Sequence, residues 1–128
     1  MSLLNKKMKK MKSFKARIPA TEEQISEAEG RLGLSFSNEY KEYLAEFGCA
    51  SVYGHELTGL CKVARLDVVQ VTLTHKDLNP DFPCSLYVIE ETTIDGIIIW
   101  QDSDGLVYAS SPNGKIDKIA GSILEYLS

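Results

Sequence analysis

Apolar positions at helical spacing open the chain. Leu4, Met8 and Met11 fall at i, i+4 and i+7 with lysines between them, which predicts a short cationic amphipathic helix. Ile18-Pro19 ends it, because the residue before a proline is pushed out of the helical region. Thr21 then opens a helix with a capping box, its hydroxyl accepting from the Gln24 amide while the Gln24 side chain reaches back. Glu22 and Glu23 occupy the first turn, where the helix dipole favours acids. Ile25, Ala28 and Leu32 form its buried stripe, and Gly33 stops it. The next helix starts at Ser37, buries Tyr40, Tyr43, Leu44 and Phe47, and ends at Gly48. Its acids Glu39, Glu42 and Glu46 lie on the other side. Joined by Gly33-Leu34-Ser35-Phe36, the two make a helical hairpin.

Strand patterning follows. Residues 52–57 alternate as one strand, which Leu57-Thr58-Gly59-Leu60 breaks. Asp67 caps a helix through Val68, Val69, Val71, Thr72, Leu73 and His75, although its β-branched residues also favour a strand. Residues 79–83 are a turn cluster. Leu86–Ile89, Ile97–Trp100 and Leu106–Ala109 read as strands, the second apolar on both faces and therefore central. Asp95-Gly96 and Asp104-Gly105 between them are strong hairpin signals, so the three form an antiparallel meander. A loop at 110–114 leads to a closing helix over 118–127 that buries Ile119, Ala120, Ile123, Leu124 and Leu127. Helices and strands are segregated, which makes the class α+β, with the N-terminal helical hairpin, a middle helix and a C-terminal helix around a central antiparallel sheet.

Composition limits what this fold can be. The chain has 128 residues, 44% hydrophobic and 25% charged, which excludes a collagen-like or fully disordered protein. The expected organisation is a basic extension, 1–17, and a single domain, 18–128. Met1-Ser2-Leu3 is set aside as a remnant of cloning. The longest apolar run, Ile97 to Trp100, is far short of the ~20 residues of a membrane span. The lysine-rich start has no apolar stretch behind it, so no secretory leader and a cytoplasmic location are expected.

The net charge of −4 conceals an asymmetry. Residues 1–17 carry seven bases and no acid, while residues 18–128 carry seven bases against eighteen acids, a net of −11. An acidic body is unsuited to phosphates and suits a basic partner protein. The basic arm either touches anionic lipid or nucleic acid, or packs on its own acidic body.

Catalytic signals are weak. Cys49, Cys61 and Cys84 are odd in number and widely spaced, so free thiols in a reducing compartment are expected. Together with His55 and His75 they show no zinc-ligand spacing, and neither metal nor cofactor is expected. A Cys–His nucleophile would have to be assembled in space, and nothing singles out one cysteine. Asp102-Ser103-Asp104-Gly105 opens like a calcium loop but lacks the later ligands, which leaves a hairpin turn. Glu90 and Glu91 point to opposite faces of a strand and form no carboxylate dyad. No enzyme is expected. Trp100 is either an interface anchor or core, and Tyr53 and His55 share one strand face at the sheet rim.

The segment from Glu22 to Gly48 resembles the start of the SUKH superfamily, the cell-wall-assembly and glucan-synthesis regulator family. Glu29 stands for its helix acid, Leu32-Gly33 for its break, Tyr40 to Leu44 for its second helix and Gly48 for that helix's end. Glu56 to Leu60 resembles its strand and turn, Asp104-Gly105-Leu106-Val107-Tyr108 its Asp-Gly-x-Val-Tyr hairpin, and Ile119 to Leu127 its closing helix. Phe36 stands where the family usually has proline, and Cys49-Ala50 where a further glycine is common. The resemblance spans residues 18–128 and implies a non-enzymatic protein binder. Bacterial members are commonly immunity proteins that neutralise a cognate toxin, often a nuclease; fungal members are regulators that work through protein contacts, so the alternative is a regulatory scaffold or ligand-sensing module. The resemblance and the charge together point to contact acids at the sheet rim: Glu56, Glu90, Glu91, Asp95, Asp102 and Asp104, with Tyr53 or Trp100 as anchor. An open edge of the meander is where a second copy would pair.

Overall fold

A computed structural model describes residues 2–128. The elements run α1 (Leu3–Lys10), β1 (Lys15–Ala16), α2 (Glu22–Leu32), α3 (Asn38–Phe47), β2 (Ala50–Val52), β3 (His55–Glu56), α4 (Val68–Leu78), β4 (Tyr87–Glu91), β5 (Ile98–Gln101), β6 (Val107–Ser110), β7 (Ile116–Ala120) and α5 (Ile123–Leu127). They form two antiparallel sheets, β1-β2-β3 and β4-β5-β6-β7, packed by helices, an α+β fold.

The helical hairpin forms as its capping residues dictate. Thr21 Oγ1 accepts from the Gln24 amide at 3.1 Å and the Thr21 amide donates to Gln24 Oε1 at 2.8 Å. Ser37 Oγ caps α3 through the Tyr40 amide. Asp67 likewise caps α4 through the Gln70 amide, so capping and burial of Val68, Val69, Val71 and Thr72 outweigh the β-branched bias.

Two expected elements take another form. Residues 52–57 are a hairpin rather than one strand: β2 turns into β3 at Tyr53-Gly54, where Gly54 adopts φ 83°. The closing helix over 118–127 is also corrected. Residues 116–120 form β7, paired with β6, and only 123–127 are helical. Asn113-Gly114 is the cause: Asn113 Oδ1 accepts from the Lys115 amide, Ser111 donates to the Lys115 carbonyl, and the chain returns along β6. Ile119 consequently faces solvent, whereas Ile123 and Leu127 are buried. The meander thus has a fourth strand.

The sheet β4–β7 buries both faces at its first two strands. Tyr87, Ile89, Ile99 and Val107 join the main core with the helical hairpin, while Val88 and Trp100 pack beneath Val71 of α4 on the opposite face. Tyr87 Oη accepts from the Ser37 amide and donates to Gln101 Oε1, and Gln101 Nε2 donates to Glu39. The Glu39 carboxylate in turn accepts the Ile123 and Leu124 amides, fixing the start of α5.

The basic arm packs on the body. Leu4 and Met8 belong to the main core, and Asn5 Nδ2 donates to the Glu42 carbonyl and to Glu46 Oε1. Met1 lies outside the described residues; Ser2, also set aside above, caps α1 through the Asn5 amide at 3.0 Å. The Lys9 ammonium, followed by the Asn5 amide, holds the Glu46 carboxyl below its ordinary range against the opposing effect of burial. A lowered carboxylate pKa stabilises the docked arm above the unfolded value near 4.5 and loses that contribution as pH falls through the folded value. The opening free energy of α1, from amide exchange, is therefore expected to fall between pH 5 and pH 3, and Glu46→Gln to flatten that dependence. An unchanged slope in the variant would show that Glu46 does not hold the arm.

Candidate interaction surface

The contact acids inferred from sequence sit in very different places. A register shift after Val88 turns Glu90 inward, where it is only 5% exposed. Its carboxylate meets His55 Nδ1 at 3.0 Å, accepts the Glu56 amide at 3.1 Å and accepts the Tyr126 hydroxyl. The Tyr126 ring stands edge-on to His55, 5.3 Å between centroids, and burial together with Glu90 pushes its hydroxyl pKa up. This cluster ties β3, β4 and α5 together and leaves Glu90 no surface to offer.

Two further acids already have partners. Glu56 takes both guanidinium nitrogens of Arg65, which hold its carboxyl below the usual range. Glu91 meets His75 Nε2 at 2.7 Å. Asp102 builds the β5–β6 turn: Oδ1 accepts the Asp104 and Leu106 amides, and Oδ2 accepts the Tyr108 hydroxyl, all at 3.0 Å. Asp95 and Asp104 remain exposed and without an ion pair among the described residues.

The two lie at opposite ends of the meander, since β5 runs between their turns; its four residues span about 13 Å at about 3.3 Å each. The Asp95 turn carries Ile94, 66% exposed, beside it. Asp95 and Gly96 both have positive φ, 54° and 69°, as a type I′ hairpin requires. Tyr53 is exposed at the β2–β3 tip, with the Lys12 ammonium 5.1 Å from its ring centroid. Trp100 is corrected as an anchor. It is fully enclosed, donates from Nε1 to Ser110 Oγ at 2.9 Å and packs edge-on to Phe82 and His75, so no partner reaches it.

The residues that carry the resemblance hold architecture. Glu29 Oε2 accepts the Phe36 amide at 2.8 Å, bracing the interhelical turn, and faces Lys41 Nζ at 3.7 Å. Leu32, Tyr40 and Leu44 are buried, and Gly33 caps α2 in the left-handed region. Gly105 bends the β5–β6 turn at φ 94°, and Tyr108 buttresses it through Asp102.

The thiols show no nucleophilic arrangement. Burial, then the neighbouring Cys61, pushes the Cys49 thiol up to about 12. Both histidines are bonded to carboxylates. Among the described residues no group of three or more His, Cys, Asp or Glu is placed to hold a metal ion.

One concavity was not legible in the sequence. A groove of about 870 Å³ lies between residues 17–19, α2, residues 60–62 and the start of α4. Its only local signal is the extended Arg17-Ile18-Pro19.

Against known families, the model described as SMI1-KNR4 cell-wall (SUKH_5) matches residues 2–128. The chain belongs to the SUKH family. The match takes in the basic arm as well as the part that the sequence motifs had covered. No curated protein matches this chain. SUKH membership gives a domain of the immunity or cell-wall-regulator type, a class that is generally non-enzymatic and protein-binding. Among the described residues no helix is long and apolar enough to cross a membrane.

Proposed function

We propose that this SUKH domain is an immunity protein that binds and neutralises a cognate toxin through its acidic surface. The observation that carries this reading is charge left unused by the fold. Glu22, Glu23, Glu42, Asp77, Asp81, Asp95 and Asp104 are all exposed, and none has an ion pair among the described residues. Such a surface steers a basic protein such as a nuclease and competes with nucleic acid for its cleft. The Asp95 turn supports a contact of mixed character, because exposed Ile94 stands beside the charge. A regulatory scaffold of the cell-wall-assembly type is the second reading, favoured by the groove beside α2.

Co-expression with the product of the neighbouring open reading frame, the toxin on this reading, tests the proposal. Protection and a stoichiometric complex are expected; undiminished killing without a complex overturns it. Within such a complex, Asp95→Lys is expected to slow association on the order of 3- to 10-fold at low salt, with little change in dissociation. Asp104→Lys, at the far end of the meander, serves as the comparison. Equal effects at both ends would mean that steering is spread over the whole body rather than focused at the Asp95 turn.

A further inference from the structure

We infer that the groove beside α2 is a second binding site, and that it takes an extended acidic peptide segment bearing apolar side chains. The inference rests on the reading of the chain as a protein-binding domain and is independent of toxin neutralisation.

Ala28 of α2 and Val69 of α4 border the groove as buried core residues, and Leu60 is half-buried there. Ile18 and Pro19 extend this surface, and Ile18 is 82% exposed, the most exposed large apolar side chain among the described residues. The volume of about 870 Å³ falls in the range of roughly 300–1,000 Å³ usual for ligand sites. Apolar surface this open, walled on several sides, is the kind that becomes covered by a partner.

The charges select the partner. Arg17, Arg31 and Lys62 line the groove, and none of them has an ion pair among the described residues. Two carboxylates share the lining. Asp67 is engaged as the cap of α4, accepting the Gln70 amide at 3.2 Å, and Glu27 lies one turn before Arg31 on α2. With Arg17 from the arm, three cations against two acids make this a basic spot on a molecule of net −4. An anion is repelled by most of that body and accepted here. The cations come from three separate segments, residues 17–19, α2 and residues 60–62. Carboxylates spaced along an extended chain meet such an arrangement, while the alternate side chains turn to the apolar lining.

Fluorescence anisotropy with a fluorescein-labelled octapeptide alternating leucine and glutamate tests this. Saturable binding that weakens with salt is expected, and at least a tenfold higher Kd for the double variant Arg31→Glu/Lys62→Glu. Both positions are exposed, and a thermal melt checks that the variant folds. Lys118→Glu, exposed on β7 and outside the groove lining, is expected to stay within twofold of the native protein. The inference is overturned by equal binding of the leucine–lysine counterpart, by undiminished affinity in the double variant, or by citrate binding as tightly as the peptide. Failure of peptide binding with self-association of the chain through this face also overturns it, in favour of a second copy. Toxin protection by the native chain separates the two readings. Protection by the native chain with no peptide binding removes only the groove, and peptide binding without protection removes only the immunity function.

Discussion

Replacing Gly48 by alanine is expected to lower the unfolding free energy by about 3–5 kcal/mol, at the severe end of single substitutions. Gly48 follows α3 at φ 68° and ψ −55°, a region that side chains avoid, and such strain alone costs of order 1–3 kcal/mol. A Cβ there would lie 1.9 Å from the Ile18 carbonyl oxygen and 3.0 Å from its carbon. The obstacle is backbone, fixed on either side by the Arg17 amide on the Cys49 carbonyl and the Ala20 amide on the Leu44 carbonyl, so it cannot swing away. Gly59 lies against the same crossing, where an added Cβ would meet the Gly48 carbonyl oxygen at 2.0 Å. The Gly48 carbonyl meanwhile accepts the Leu60 amide at 2.8 Å. Urea denaturation gives the measurement. Gly30→Ala is the control, since nothing lies within 4 Å of a Cβ there in the last turn of α2, and its stability should be equal or higher. An unshifted midpoint for Gly48→Ala would mean that the crossing yields more easily than its geometry allows.

Trp100→Ala is expected to cost a similar about 3–5 kcal/mol by emptying the space between β5 and α4. The indole fills the second core with Val71, Leu86 and Val88, and its loss also leaves Ser110 Oγ without its donor. Trp100→Phe should recover part of the loss through the remaining ring contacts with Phe82 and His75. The readout that separates core from interface is partner affinity. For Trp100→Phe, affinity per folded molecule should stay within twofold while the urea midpoint falls. A loss of affinity larger than the loss of stability would return Trp100 to the interface.

These two residues illustrate what was readable in the chain. Gly48 is marked by its place after Leu44 and Phe47, and helix ends of that kind are local chemistry. The steric reason for it is not, because Ile18 and Leu60 reach it only through tertiary packing. The caps at Thr21, Ser37 and Asp67 were readable for the same local reason. β7 was misread because Ile119, Ala120, Ile123 and Leu127 also satisfy helical spacing; pairing with β6 decided between the two periods. Rim acids were readable as charges and not as surfaces. Whether an acid meets solvent depends on a register shift at Glu90, a bidentate arginine at Glu56 and a histidine from α4 at Glu91. None of these leaves a mark within a few residues. The groove escaped because its lining comes from four parts of the chain.

Glu39 has a consequence for how the molecule opens. A helix of five residues does not persist alone, and α5 owes its start to a carboxylate 84 and 85 positions earlier in the chain. It therefore behaves as a latch, closed only when α3 and the meander are already docked. Releasing it would free the Tyr126 hydroxyl from Glu90 and uncover the side of α1 that packs on α5. The two ends of the chain, α1 and α5, thus pack as one unit. Any partner that seats on that unit would tighten both ends at once, and its binding would be read in the exchange of amides it never touches.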